Sequence, residues 1–380
     1  MQEKMAHHLE PIEQVGYLSF MRSFRSPSAM AYVSLTQAVE GCQDDQLKEA
    51  VRFLLCGCWI DPGSFECLFP SATLRQMLTR SGVVVEADGR FGMPNFQMLA
   101  NPDIAFFVGR ANFAGVYYGE DSEALVRYVN VPRNGSALEL CAGSGFASLS
   151  AAVKQCFIHS VDINPYAASI REINAKINGV GDRLSSFCES AESALKRFAV
   201  EGLKFDTVMF NPPLLPIPED VRYPFVGGGG PEGIRFLEIH LELIANVLDH
   251  KGTVQFIGTG LASESHLYFL DKIRSLANNI EGVCDVQVTG AWEYANSPEI
   301  FSSLAHSAVD GDYSRNQELE RERLESLYRA NGADRLVFYF AKIHRSPREG
   351  RVVRNDLRFR GHWFTDGGNR IAARSTEFGM

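Results

Sequence analysis

The stretch LELCAGSGFASL, residues 138–149, decides the reading of this 380-residue chain. An apolar strand ends near Cys141 and runs through Ala142-Gly143-Ser144-Gly145 straight into a helical sequence. Two glycines one residue apart let the backbone turn tightly and leave room for a ligand against the main chain, with the amides of the new helix facing it. Taken alone the turn is ambiguous: a nicotinamide or flavin site, or a merely tight turn, can use it. The dinucleotide fingerprint GxGxxG is incomplete, because its third glycine position holds Ser148.

Outward from this turn, short apolar runs alternate with helical ones. Strands are expected at SALELCA, FIHSVDI, LSSFCE, DTVMFN, TVQFIGT, VQVTG and RLVFYFAKI, with helices such as YAASIREINAKI and GIRFLEIHLELIANVL between them. Strands with little polar alternation, separated by helices, predict an α/β fold: a mostly parallel, Rossmann-like seven-stranded sheet covered on both faces. The charged run RNQELERERLESLYR reads as a solvated helix inserted before the last strand. Upstream, DQLKEAVRFLLCGCWI and ATLRQMLTRSG space their apolar residues as helices do. VVVEADGRFGMP reads as a hairpin around Asp88-Gly89. Helices followed by a small wing are compatible with a winged-helix module, a type that binds nucleic acid, dimerises or covers substrate.

Composition narrows the function classes. With 45% hydrophobic and 22% charged residues the chain is ordinary globular protein. Its net charge of −9 opposes general attraction to a phosphate backbone. No apolar run approaches a membrane span and MQEKMAHHLEPIEQ lacks the apolar segment of a signal peptide, so the expected location is the cytoplasm, away from membranes. The eight cysteines form no CxxC pair and read as buried free thiols, and metal dependence has no support. Residues 345–380 hold eight Arg against four acidic groups; they read as a solvated tail folded across the N-terminal module, with RNA contact as the alternative.

The other strand tips carry the remaining candidate chemistry. Asp162 ends the second strand and lies across the same crevice, placed to accept bonds from both hydroxyls of a ribose, while Asn164 is better placed to cap the next helix. At the end of the third strand Glu189 is placed to accept from an adenine amino group, and Glu192 reads as an exposed first-turn carboxylate. The fourth strand ends in Asn211-Pro212-Pro213-Leu214. Two prolines forbid regular helix and hold a rigid turn whose acceptors suit the hydrogens of a planar N–H group.

With these pieces together the chain resembles the class I S-adenosylmethionine-dependent methyltransferases, in the group with an Asn-Pro-Pro-aromatic motif. That group includes release-factor glutamine, ribosomal RNA guanine-N2 and adenine-N6 methyltransferases. The resemblance rests on ELCAGSG (139–145), VDINPYA (161–167), NPP (211–213) and VRYPFVGGGGPEGIRFLE (221–238), and covers roughly residues 105–343. It implies that Glu139, Cys141, Ala142, Gly143, Ser144 and Gly145 cradle the methionine portion of S-adenosylmethionine. Asp162 with Ile163 would hold the ribose and Glu189 or its neighbours the adenine; Asn211, with Pro212 and Pro213, would orient the acceptor nitrogen, and Asn211 would also belong to the cofactor-binding residues.

Leu214 stands where the family has an aromatic residue. Tyr223 or Phe225 can replace the missing ring, and Tyr117 and Tyr118, in the segment 107–129 leading into the catalytic domain, can lie over the cofactor. Glycines 227–230 read as a loop that closes over substrate. The expected organisation is a substrate or dimerisation domain at 1–104, a methyltransferase domain at 105–343 and a basic tail at 344–380, with a homodimer compatible with the first. Net charge and Leu214 favour a small-molecule or peptide nitrogen as acceptor. RNA or a glutamine of a translation protein is the alternative, and a noncatalytic protein that keeps the cofactor fold is the third class.

Overall fold

The computed structural model describes residues 7–24, 35–224, 227–296, 299–309, 316–346 and 350–354. The N-terminal part is helical: α1 (Glu10–Gln14), α2 (Tyr17–Arg22), α3 (Leu35–Glu40), α4 (Asp45–Leu54), α5 (Pro62–Leu68) and α6 (Ala72–Arg80). The side chains of Asp44, Asp61 and Ser71 accept from Leu47, Ser64 and Leu74 amides and so start α4, α5 and α6, each cap contributing about 1 kcal/mol. A hairpin follows, β1 (Val85–Ala87) and β2 (Arg90–Gly92), and its two turn residues, Asp88 (φ 50°) and Gly89 (φ 67°), are both left-handed, which matches the twist of the flanking strands. Ile60 bridges Phe91 antiparallel, so the order helix, bridge, two helices, hairpin is that of a winged helix.

A second hairpin, β3 (Phe96–Ala100) and β4 (Ala105–Gly109), joins this module to the sheet domain. Two asparagines of a later helix complete the bonding of β4. Asn174 accepts from the Phe107 amide (2.7 Å) and donates to the Phe107 carbonyl (3.1 Å). One turn on, Asn178 does the same at Ala105 (3.0 and 2.6 Å). Side-chain amides thus stand in for a neighbouring strand, which satisfies backbone groups that burial would otherwise leave unpaired.

After α7 (Glu120–Tyr128) the chain alternates β5 (Ser136–Leu140), α8 (Phe146–Val153), β6 (Phe157–Asp162), α9 (Pro165–Ile177), β7 (Leu184–Cys188), α10 (Ala191–Val200), β8 (Phe205–Phe210), α11 (Arg235–Val247), β9 (Leu248–Ala262), α12 (Leu270–Asn279) and β10 (Val283–Glu293). Two helices, α13 (Glu299–Val309) and α14 (Gln317–Arg329), precede β11 (Arg335–His344) and a short β12 (Val352–Arg354). The sheet order is β12-β10-β11-β9-β8-β5-β6-β7. All seven predicted strands are present, parallel from β5 to β9, with β11 antiparallel between β9 and β10. Alternate residues serve opposite faces. Ala137, Ile158 and Met209 join the core under α8, α9 and the N-terminal helices, whereas Leu138, Val161 and Phe210 join the core under α10, α11 and α12. β6 and β8 flank β5, so the crevice at their carboxyl ends is the topological switch point where such sheets bind ligands.

Three expectations change. The run at 317–329 is half of a packed helix pair: Glu320, Leu324 and Tyr328 are buried, and Tyr328, Tyr294 and Phe301 form an aromatic cluster. Apart from buried Glu320, which pairs with Arg323, its charge lies on the outer face, where Arg321 pairs with Glu318 and Glu325. The start of the tail lies on the sheet and not on the N-terminal module, because Val352–Arg354 pair in parallel with Val286–Val288; residues 355–380 lie outside the described residues. Among the eight free thiols, Cys58, Cys67 and Cys188 are exposed, since they fall at a loop, a helix surface and a strand tip. Among the described residues no helix is long and apolar enough to cross a membrane, and no group of three or more His, Cys, Asp or Glu is placed to hold a metal ion.

Candidate active site

The glycine turn is a left-handed loop held from within. Cys141 (φ 55°), Gly143 (φ 50°) and Gly145 (φ 79°) all lie in the left-handed region. A Cβ on Gly145 would come within 2.7 Å of Arg171 Cγ, whereas one on Gly143 would meet nothing closer than the Tyr117 carbonyl at 3.6 Å. Packing therefore demands glycine at 145, and Gly143 leaves the outer side of the loop open, as a ligand pressed against the main chain requires. Arg171, fully buried, donates to the Gly143 carbonyl (3.2 Å), the Phe187 carbonyl (2.8 Å) and Ser186 Oγ (3.0 Å). Asn174 donates to the carbonyl of buried Ser144 at 3.0 Å. Burial draws the Arg171 guanidinium below its ordinary pKa, and the nearby carboxylates of Asp162 and Glu139 oppose that shift.

Glu139, also buried, faces the first turn of α8, where its Oε2 accepts the Ser148 amide (2.8 Å) and the Ser148 hydroxyl. Burial pushes its carboxyl up to about 7, against the opposing pull of Ser148 and Arg171. An acid whose folded pKa is raised binds more protons folded than unfolded, so it subtracts stability as pH rises from its unfolded value toward about 7. Glu139→Gln is therefore expected to melt several degrees higher than the parent at pH 8 and to lose that advantage at pH 5, followed by thermal denaturation. A pH-independent difference would remove this role.

Asp162 holds the loop from the other side. Its Oδ2 accepts the Gly143 amide and its Oδ1 the Asn164 amide, both at 2.8 Å. Each oxygen keeps a second lone pair for an incoming hydroxyl. Asn164 caps α9, accepting from the Tyr166 amide at 3.0 Å. Next to Asp162, Ile163 is 57% exposed, an apolar surface at the mouth of the crevice. Glu189 is less free than the sequence suggests: it pairs with Arg197 (2.5 Å), whose guanidinium lies 4.3 Å from the Phe198 ring centre, and its amide donates to the Asp162 carbonyl at 3.1 Å. Glu192 is exposed and pairs with Lys196.

At the tip of β8, Asn211 Nδ2 donates to Asp121 Oδ2 at 2.9 Å. Asp121, buried in the first turn of α7, also accepts from the Tyr117 hydroxyl (2.8 Å) and the Ser122 amide (2.9 Å). Burial raises its carboxyl pKa while the bonds from Asn211 and Tyr117 oppose that shift. Pro212 and Leu214 are buried and Pro213 is half-buried. The Leu214 carbonyl accepts from Thr259 Oγ1 at 2.6 Å, so this residue belongs to the core and offers no platform. Tyr118 is likewise core, edge-on to Phe106 and Phe146. Tyr223 packs beside Gly227 and bonds Ser307 of α13, while Phe225 lies outside the described residues.

The glycine-rich segment is a packed structure and not a loose flap. Leu215 donates to Gly227, Gly229 donates to Leu215, and Ile217 donates to Gly230, at 2.8–2.9 Å. A Cβ on Gly229 would fall 2.9 Å from the Pro213 carbonyl, and one on Gly233 (φ 76°) only 2.6 Å from the carbonyls of Leu214 and Thr259. The glycines allow main chain to touch main chain behind the Asn-Pro-Pro turn. Gly233→Ala is expected to cost at least about 2 kcal/mol in chemical denaturation, from left-handed strain and overlap together; a neutral effect would show that the segment yields.

Asp121, Arg171 and Asn174 escape the sequence reading, as does the pairing of Ser148 with Glu139. Only α9 carried a signal, since Arg171, Asn174 and Asn178 recur at helical spacing beside Ile170, Ile173 and Ile177 on a face that should be apolar.

A family model described as RNA cap guanine-N2 methyltransferase matches residues 134–215. A Methanocaldococcus jannaschii protein described as a protein N5-glutamine methyltransferase is 34% identical over 167 residues, which span 43% of this chain and 80% of that protein. The release factor glutamine methyltransferase of Aquifex aeolicus is 32% identical over 114 residues, 27% of this chain and 39% of that one. The structure of a SAM-dependent methyltransferase from Agrobacterium tumefaciens aligns at a TM-score of 0.39 and 16% identity, covering 69% of this chain and 76% of that one. The chain belongs to the class I S-adenosylmethionine-dependent methyltransferases. Within that class it is related to the glutamine and RNA-guanine methylating enzymes. The open side of Gly143 and the remaining lone pairs of Asp162 fit such a cofactor. When bound, S-adenosylmethionine supplies a methyl group on an electrophilic sulfonium.

Proposed function

We propose that this enzyme methylates the side-chain amide nitrogen of a glutamine in a protein substrate. The observation that carries this reading is the Asn211–Asp121 bond, which leaves the Asn211 oxygen, Oδ1, as an acceptor for an N–H group at the strand tip. The relatives described as glutamine methyltransferases support it over the small-molecule or free-peptide acceptor that charge and Leu214 suggest. Asn211 Oδ1 and the Pro212 carbonyl hold the two N–H bonds of the amide, which raises electron density on its nitrogen and aims it along the line of transfer. As the N–C bond forms, the donor's C–S bond breaks and the nitrogen becomes acidic enough to pass one N–H proton along its hydrogen bond, by way of Asn211 Oδ1 or the Pro212 carbonyl, to water, so no strong base is needed. Glu139, Cys141, Ala142, Gly143, Ser144 and Gly145 cradle the methionine portion. Asp162 takes the ribose with Ile163 beside it, Glu189 lies toward the adenine, and Tyr117 and Tyr223 line the acceptor side.

Residues 1–104 form the substrate module and 105–343 the catalytic domain in this reading. The family model over residues 134–215 favours a second reading, RNA guanine-N2 methylation, with the tail at 344–380 as the RNA contact. Against it, residues 35–95 hold eight acidic and five basic side chains, net −3, which repels phosphate. The test incubates the enzyme with tritiated methyl donor and cell extract, separates protein, RNA and metabolites, and digests the labelled protein for mass spectrometry. N5-methylglutamine is the expected product; label confined to RNA or metabolites rejects the proposal.

A further inference from the structure

We infer that Asp121 is a positioning residue that sets the direction of the Asn211 amide, and through it restricts the acceptor to groups that offer an N–H. The inference rests on the proposed methylation of an amide nitrogen and adds what selects for it. Ninety positions separate the two residues in sequence (211 − 121), and the fold brings Asp121 Oδ2 to 2.9 Å from Asn211 Nδ2. An ionised carboxylate only accepts, so the amide must turn its NH2 inward and its oxygen toward the crevice. Without that constraint an asparagine amide flips by half a turn at little cost and presents two donors to an incoming N–H, a repulsive contact.

The carboxylate is itself held. Tyr117 and Ser122 fix Oδ1 at 2.8 and 2.9 Å, and Gly119 between them is a glycine because a Cβ there would overlap the Tyr117 hydroxyl and lie 2.8 Å from Asp121 Oδ1. The same arrangement discriminates substrates. A glutamine amide donates to Asn211 Oδ1, whereas a glutamate carboxylate or a keto oxygen meets a second acceptor and is repelled.

Asp121→Asn keeps the shape and removes the enforcement, because the new amide can pair with either orientation of Asn211, accepting from its Nδ2 through the amide oxygen or donating its own NH2 to Asn211 Oδ1. Transfer of tritiated methyl to the protein fraction of cell extract is expected to fall 10- to 100-fold, with affinity for S-adenosylhomocysteine by calorimetry within threefold of the parent. In an Asn211→Ala background the same substitution should change transfer less than twofold, since there is no amide left to direct. Transfer within threefold of the parent, or losses that multiply in the double variant, would overturn the inference.

A second measurement needs no acceptor. In the 15N spectrum of the full chain, the Asn211 side-chain NH2, identified by its loss in Asn211→Ala, should exchange at least tenfold faster with solvent in Asp121→Asn. Unchanged exchange overturns the positioning role even if wild-type enzyme labels no protein, an outcome that by itself rejects only the glutamine reading. Should Asp121→Asn not fold, Tyr117→Phe removes one donor from the carboxylate and is expected to speed the same exchange at least threefold; no change overturns the inference.

Discussion

Asn211→Ala is expected to lower turnover about 100-fold or more while affinity for S-adenosylmethionine stays within threefold. The Asn211 side chain bonds Asp121, and in the proposed arrangement its oxygen faces the acceptor and not the glycine loop. An interaction made with the reacting nitrogen as charge develops appears in kcat, and ground-state cofactor binding is left alone. Single-turnover transfer and calorimetry, run on the same preparations, separate the two quantities. Catalysis within threefold of the parent would remove Asn211 from the site, and a matched loss of cofactor affinity would move it to the other side of the crevice.

Asp162→Ala is expected to weaken S-adenosylmethionine and its demethylated product by about 1.5–3 kcal/mol, the range for charge-assisted bonds to ribose hydroxyls. The structure adds a second route to the same loss, because the carboxylate also bonds the Gly143 and Asn164 amides and so braces the loop before any ligand arrives. Asp162→Asn separates the routes. Its one remaining oxygen can brace Gly143, so a variant that melts like the parent yet still binds tenfold more weakly assigns the loss to the ribose. Calorimetry in chelator with S-adenosylhomocysteine measures it, and unchanged affinity in both variants would take Asp162 out of the cofactor site.

The sheet was legible because its central strands, such as β5 and β8, are buried on both faces and leave short apolar runs like TVMF, even though β7 is polar and β10 alternates. The strand tips were legible for a related reason: chemistry in this fold gathers where each run stops, and Gly143, Asp162, Glu189 and Asn211 all stand at such stops. What stayed hidden depends on pairings across the fold. Nothing near Asp121 distinguishes it from any acid at a helix start, and only the return of the chain 90 residues later makes it the partner of Asn211. Glu189 looked available until α10 placed Arg197 against it. The glycines at 227–230 looked mobile by composition, but backbone freedom serves close packing as readily as motion. Leu214 stands where the resemblance expects a ring; that its side chain is buried and its carbonyl accepts from Thr259 could not be read from a single residue.

The asparagine ladder on α9 bears on how enzymes of this kind can be recombined. Asn174 bonds both the hairpin, at Phe107, and the glycine loop, at Ser144. A chimera that imports a foreign front half inherits these amides, and unless the donor's hairpin presents a free edge in the same register, they are stranded in the interior at about 1–3 kcal/mol for each unsatisfied group. The joint thus works as a lock keyed by register, and graftable front halves are those that bring their own matching strand.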